Sequence, residues 1–159
     1  MTEAFDLPDE AATEALAQRA ARHLPHDGLP LVLYLRGDLG AGKTTLARGM
    51  LRELGEAGPV RSPTYSLLAE YPVPGGTVVH MDLYRLREAE ELQALALADL
   101  LPGSQLWLVE WPERASTGLP HPDAQIQLEV RGAGRGAHLQ AFSERGVSWQ
   151  RSLCADSRS

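Results

Sequence analysis

The sequence predicts an α/β fold: a three-layer sandwich with a mainly parallel central sheet, to which antiparallel hairpin strands are added. Three observations predict it. The apolar run Leu31 to Leu35 leads directly into GDLGAGKTT, Gly37 to Thr45, and a run apolar on both faces is the pattern of a buried parallel strand. A second such run, Leu106 to Val109, ends abruptly at Glu110. Strand-like segments joined across Pro74-Gly75-Gly76 and across the glycine-rich stretch 131–136 have the pattern of antiparallel hairpins.

The stretch after the first run fits G-x-x-x-x-G-K-[ST], with Gly37, Gly42, Lys43 and Thr44 at the fixed positions. Glycines let the backbone curl so that successive N–H groups point at phosphate oxygens. The following helix aims its positive end at the same anion. Asp38, Leu39, Gly40, Ala41, Gly42, Lys43, Thr44 and Thr45 are therefore the candidate phosphate contacts. Lys43 supplies a mobile charge for the β and γ phosphates, and the Thr44 hydroxyl is placed to ligate Mg²⁺. The fold class sharpens to that of the P-loop NTPases, with a nucleoside triphosphate as ligand.

A length of 159 residues suits one domain with a sheet covered on both faces. We place that domain at residues 1–146 and expect a polar, irregular tail over 147–159, partly disordered, against which only Trp149 could pack back. Hydrophobic content of 43% with 23% charged residues is that of a soluble globular chain. No apolar stretch reaches the length of a membrane span, and no basic-then-apolar leader pattern opens the chain. Cys154 as sole cysteine excludes an internal disulfide and suits a reducing cytoplasm, the expected location. The formal net charge of −6 would repel nucleotide and RNA alike, so phosphate binding must be local and direct RNA binding is disfavoured.

In chain order, residues 1–24 read as an amphipathic helix capped by Asp6, with Pro8 in its first turn and Ala12, Leu16, Ala20 and Leu24 on one face. Thr13 lies in its first half, and His23 and His26 flank its end. After the phosphate loop, Leu46, Ala47, Met50, Leu51 and Leu54 share one helix face that ends at Gly55, while Arg48, Arg52 and then Arg61 form a basic edge. That edge is either a solvated face or a docking surface. Ser62-Pro63-Thr64 reads equally as a mobile switch loop whose hydroxyl could reach Mg²⁺ or the γ-phosphate, or as an ordinary turn. Strands at 67–73 and 78–83 make a hairpin, and 88–101 reads as a helix. Strands near 125–130 and 137–142 follow, joined by the second glycine stretch. This stretch opens no helix and lacks the lysine, so it reads as a flexible hairpin loop rather than a nucleotide site.

A phosphate loop needs a carboxylate at the end of a neighbouring strand to hold Mg²⁺ or orient water. Asp82 and Glu110 each end an apolar run. The run before Glu110 is apolar on both faces, so its strand is the better candidate for a place beside the phosphate-loop strand. There Glu110 would reach the metal, directly or through a water, and Asp82 would position the attacking water or complete the metal shell. Spacing leaves the reverse assignment open. His80 alternates with Asp82 on one strand face and reads as a hydrogen-bonding partner or as a packed core histidine.

GDLGAGKTT, SPTYSL, HMDLYRL and LVEWPE, in that order and spacing, together resemble the TsaE family (formerly YjeE) of small bacterial P-loop ATPases in tRNA threonylcarbamoyladenosine biosynthesis. The similarity runs from about Thr13 to the hairpin near Arg135, with Tyr65 where phenylalanine is often found. The resemblance implies an ATP- and Mg²⁺-dependent ATPase that joins TsaB and TsaD homologues, and meets tRNA only through that complex. It implies catalytic roles for Lys43, Asp82 and Glu110, with Thr44, Glu110 and Asp82 toward the metal. It also matches Trp111 to a tryptophan important in the family, Thr13 to a helix position near the nucleotide, and Arg135 to a basic residue on the hairpin; Thr64 belongs with the candidate nucleotide contacts through its loop.

Two other classes compete. A small-metabolite kinase would need a lid with several arginines, whereas 111–124 holds only Arg114. A non-hydrolysing, ATP-dependent assembly switch would use the same loop and carboxylates. No cis arginine is obviously aimed at the γ-phosphate, although Arg61 and Arg85 are candidates, so the expected ATPase is weak alone and stimulated in a complex.

Overall fold

The computed structural model describes residues 2–156. The elements run β1 (Thr2–Leu7), α1 (Glu10–Arg22), β2 (Leu31–Arg36), α2 (Lys43–Leu54), β3 (Leu68–Val73), β4 (Gly76–Asp82), α3 (Ala89–Gln93), α4 (Leu97–Leu100), β5 (Ser104–Glu110), β6 (Ala124–Arg131), β7 (Gly134–Ala141) and α5 (Glu144–Asp156), with a one-turn 3-10 helix at Pro112–Arg114. The strands form one sheet in the order β1-β7-β6-β2-β5-β4-β3. Its centre is parallel: β2 pairs with β5 and β6, and β5 with β4. The β3–β4, β6–β7 and β1–β7 pairings are antiparallel.

Strand alternation assigns the two faces. Leu31, Leu33, Leu35, Val78, Leu106 and Leu108 point to a core closed by α1, α2 and α5, while Val32, Tyr34, Val79, Met81, Trp107 and Val109 point to a second core with Leu67, Leu83, Leu92 and Leu97. β5 is buried along its whole length, which explains its continuous apolar run. Among the described residues no helix is long and apolar enough to cross a membrane.

Three expectations about elements are corrected. Residues 2–7 are an edge strand, and the helix starts at Glu10 with Asp9 as its cap, its side chain accepting from Ala12 N at 2.9 Å. Phe5 and Leu7 alternate with the exposed Ala4 and Asp6, and β7 offers the backbone a ladder from Thr2–Gln140 to Leu7–Arg135. Residues 88–101 are two short helices, broken at Ala96 with φ 51°. Leu92 and Leu97, five positions apart, would point about 140° apart on a continuous helix at about 100° per residue; the break brings both into the same core. The expected tail is helix α5 as far as Asp156, and of that tail 157–159 lie outside the described residues. Trp149, Leu153 and Cys154 bury one of its faces, and the Trp149 indole N–H donates to Ala20 O at 2.9 Å.

Candidate functional site

Strand β2 ends where the chain must turn sharply into α2. Gly37 meets that demand by proximity, since a Cβ there would lie 2.6 Å from the Leu128 carbonyl oxygen of β6. Gly42 meets it by conformation, capping α2 at φ 107° in open space, where any other residue would be strained. The two helices at this edge differ at their starts. The first turn of α1 carries Glu10 and an Asp9 cap, whereas the first turn of α2 has no acidic residue and no side-chain cap. Its N–H groups and positive dipole end remain for an external anion.

Lys43 is 5% exposed and its ammonium donates to the carbonyls of Gly37 and, at 3.0 Å, Asp38. It also sits 4.2 Å from the centre of the Trp111 ring, within cation–π range. Burial lowers its pKa below the ordinary 10.5, against the opposing pull of Glu110, Glu113, Asp82 and Asp38. Trp111 holds φ 58° directly after β5, and its ring packs on Tyr84 with centroids 4.9 Å apart.

Asp82 and Glu110 lie opposite one another at the ends of parallel neighbours β4 and β5. The strand beside the phosphate-loop strand is that of Glu110, as the continuous apolar run predicts. Their oxygens are held differently. Glu110 Oε1 accepts from Thr44 Oγ1 at 3.2 Å, and Glu110 Oε2 from His80 Nε2 at 2.6 Å. Asp82 Oδ2 accepts from the Ser62 hydroxyl and, at 3.4 Å, from Thr64 Oγ1, while its Oδ1 accepts from Tyr84 N at 3.0 Å. The Ser62-Pro63-Thr64 loop therefore converges on the Asp82 carboxylate, whichever way the sequence alone is read.

The candidate residues other than Asp38 and Ala41 line two clefts that share Gly40, Gly42 and Thr45. One, of 320 Å³, is lined by Leu39, Lys43, Thr44, Ser62, Thr64, Asp82, Glu110 and Trp111. The other, of 240 Å³, lies on the far side of the loop against α1 and the β6–β7 turn, with Thr13 and Arg135 in its wall. Thr13 is buried, and the Arg135 guanidinium donates to Gly40 O at 3.0 Å. The second glycine stretch is a hairpin turn as expected, but it also reaches the phosphate loop through Ala133, Gly134 and Arg135. Asp9 and Glu10 join that wall, a placement without a sequence signal. His80 and Ser62 are the other contacts sequence reasoning weighted too lightly; their signal was the spacing to Asp82 on one strand and a hydroxyl just before Pro63.

Other candidates lie elsewhere. Arg85 stacks over the Tyr65 ring at 4.6 Å, and Arg114 over those of Tyr84 and Trp111 at 5.0 and 5.7 Å. Arg48 pairs with Glu10 at 3.5 Å and Arg52 donates to Glu56 O at 2.7 Å, so the basic edge of α2 is partly engaged within the chain. His23 pairs with Asp156 at 3.2 Å.

Two carboxylates and a hydroxyl at an uncapped helix start form a hard oxygen donor set that suits Mg²⁺ beside phosphate. Among the described residues no cluster of three or more His, Cys, Asp or Glu could hold a metal alone, so the ion would draw further ligands from phosphate and water.

Comparison with known proteins shows what the chain as a whole is similar to. The family model described as "Threonylcarbamoyl adenosine biosynthesis protein TsaE" matches residues 7–137. A protein of Haemophilus influenzae named tRNA threonylcarbamoyladenosine biosynthesis protein TsaE is 38% identical over 142 residues, 88% of this chain and 90% of the relative. The protein of that name in Bacillus subtilis is 38% identical over 150 residues, 94% of this chain and 88% of its own. The crystal structure of YdiB from Bacillus subtilis superposes with a TM-score of 0.80 at 26% identity, covering 99% of this chain and 97% of that one.

Proposed function

The chain belongs to the TsaE family, and we propose that it is a Mg²⁺-dependent ATPase subunit of tRNA threonylcarbamoyladenosine biosynthesis, acting with TsaB and TsaD homologues through a partner-stimulated cycle. One observation carries the ATPase reading. Glu110 is bonded to the phosphate-loop hydroxyl of Thr44, and Asp82 stands opposite it in register, bonded to a separate hydroxyl-bearing loop.

That asymmetry supports distinct roles. Thr44 and Glu110 together face the place of the metal, whereas Asp82, tied to Ser62 and Thr64, orients the water that attacks the γ-phosphorus. The α2 amides and Lys43 hold the phosphates, with Lys43 leaving its loop carbonyls to follow charge onto the leaving oxygen. Bound Mg²⁺ would supply neutralisation of charge on the β and γ oxygens. Thr13 and Arg135, across the loop, take the nucleoside side, and the Trp111 ring steadies the Lys43 ammonium through their cation–π contact.

Lys43 is the cationic side chain in the wall of the carboxylate cleft among its described lining residues. Arg85 stacks on Tyr65 and Arg114 on Tyr84 and Trp111, and neither these nor Arg61 line that cleft. The missing positive charge is what a partner would add, and a partner-supplied arginine is worth about 10³- to 10⁵-fold in related chemistry. With a net charge of −6, the chain meets tRNA through its partners.

The test is ATP hydrolysis by the protein alone and with reconstituted TsaB and TsaD homologues. Slow turnover alone and at least about tenfold faster turnover in the complex is expected, lost in Lys43→Ala and Glu110→Ala. Equal rates with and without partners would remove the stimulation, and normal hydrolysis by either variant would remove that residue's role. Modification through many rounds with a non-hydrolysable analogue would favour an assembly switch instead.

A further inference from the structure

We propose that His80 is a positioning residue: it fixes the Glu110 carboxylate from behind so that the opposite oxygen faces the metal side of the phosphate loop. The inference rests on the metal-binding role proposed for Glu110 and adds a residue to that site.

His80 is fully buried in the middle of β4, between Val79 and Met81, with Ala69 and Leu108 as its sheet neighbours. Its Nε2 lies 2.6 Å from Glu110 Oε2. A carboxylate oxygen accepts, so the imidazole Nε2–H is the donor of this bond. Nδ1 is a buried atom without a hydrogen-bond partner among the described residues. A residue placed here only to fill space would avoid that cost, since an aliphatic side chain buries no polar atom. The bond to Glu110 is what the imidazole adds.

Glutamate needs such a bond. Its terminal torsion is broad, and a carboxylate on a strand end can present its oxygens over a wide range of planes. Here each oxygen has its own donor, Thr44 Oγ1 on Oε1 and His80 Nε2 on Oε2. Two attachments fix the carboxylate plane where one would leave it free to rotate. The Thr44 attachment is also the one a metal would share, so His80 alone can hold the group throughout a nucleotide cycle. Loss of such an outer partner typically costs about 10- to 100-fold in metal affinity.

Two amide variants separate positioning from packing. In His80→Gln the amide nitrogen reaches the Nε2 place and can still donate to Glu110; in His80→Asn it reaches only the Nδ1 place. For wild type, both variants, Glu110→Ala and the Glu110→Ala/His80→Asn double variant, the affinity of a fluorescent ADP is measured with Mg²⁺ and with EDTA. Thermal midpoints are recorded alongside. The expected result is that the gain in affinity from Mg²⁺ falls about tenfold or more in His80→Asn and is largely kept in His80→Gln. Affinity in EDTA stays level in both, and His80→Asn has no further effect once Glu110 is alanine. An unchanged Mg²⁺ gain in His80→Asn, or equal losses in both variants tracking their thermal midpoints, would overturn the positioning role. A full Mg²⁺ gain in Glu110→Ala would instead overturn the metal role of Glu110, so the two failures are distinguishable.

Discussion

Gly49→Ala sets two effects of similar size against each other. Gly49 lies inside α2, where replacing glycine by alanine in an exposed helix gains about 0.8–1 kcal/mol. Here, however, the added Cβ would stand 2.6 Å from the Ala17 Cβ of α1. Carbon atoms rest at about 3.5–4.0 Å, so the helices must part by roughly 1 Å, and overpacking of this kind costs about 1–3 kcal/mol. The clash wins, with net destabilisation of about 1 kcal/mol. For a domain of this size that lowers the melting midpoint by about 2–4 °C.

Function follows, because α1 carries Thr13 into the cleft against Gly40, Gly42 and Thr45. Parting the helices would widen that cleft and weaken the nucleotide binding proposed for it. The assay is thermal unfolding with and without nucleotide for Gly49→Ala, Ala17→Gly and the double variant, which moves the methyl group from one helix to the other. The double variant should lose less stability than the two single losses added together. A raised midpoint for Gly49→Ala alone would refute the reasoning, since it would mean that helix propensity outweighs the close approach.

Two further outcomes are expected. Gln150 is fully buried, with neither amide atom partnered among the described residues; Gln150→Met keeps the volume and should stabilise the fold by about 1–3 kcal/mol, the desolvation cost of an unsatisfied group, and a fall in thermal midpoint would count against it. The Asp27 carboxyl is held below its ordinary 3.8 first by the Arg145 guanidinium and then by the Leu29 N–H. Its folded pKa is lowered, so its stabilisation is present above about pH 4 and is lost as pH falls through the folded value. The gap in melting midpoint between wild type and Arg145→Ala should therefore shrink on acidification below that range, and a gap that widens would contradict the pairing.

The phosphate loop was legible because backbone geometry leaves few residue choices: Gly42 needs a positive φ, Gly37 has no room for a side chain, and Lys43 and Thr44 follow at one helical offset. The β5 strand was legible because burial on both faces leaves it continuously apolar. The C-terminal helix carried a readable stripe, with Gly146, Trp149, Gln150, Leu153 and Cys154 at helical spacing and Ser143 Oγ accepting from Gly146 N. Its polar composition hid that stripe. The edge strand β1 was obscured by the stronger helical period that follows it. Its own alternation is short, and its partner β7 lies at the far end of the chain.

From the sequence alone came the ligand class, the parallel core strands and the two carboxylates, since each depends on local backbone demands or on burial along a single segment. Only the tertiary structure distinguished the surroundings of those carboxylates, on which their proposed roles rest. It shows which donor meets which oxygen: Thr44 and His80 on Glu110, Ser62 and Thr64 on Asp82. Thr44 and Glu110 are 66 positions apart, and a bond of that kind follows from strand order and register, which no local pattern encodes. The same holds for the second cleft, where a hairpin tip and the first helix meet across the loop because β7 lies between β6 and β1.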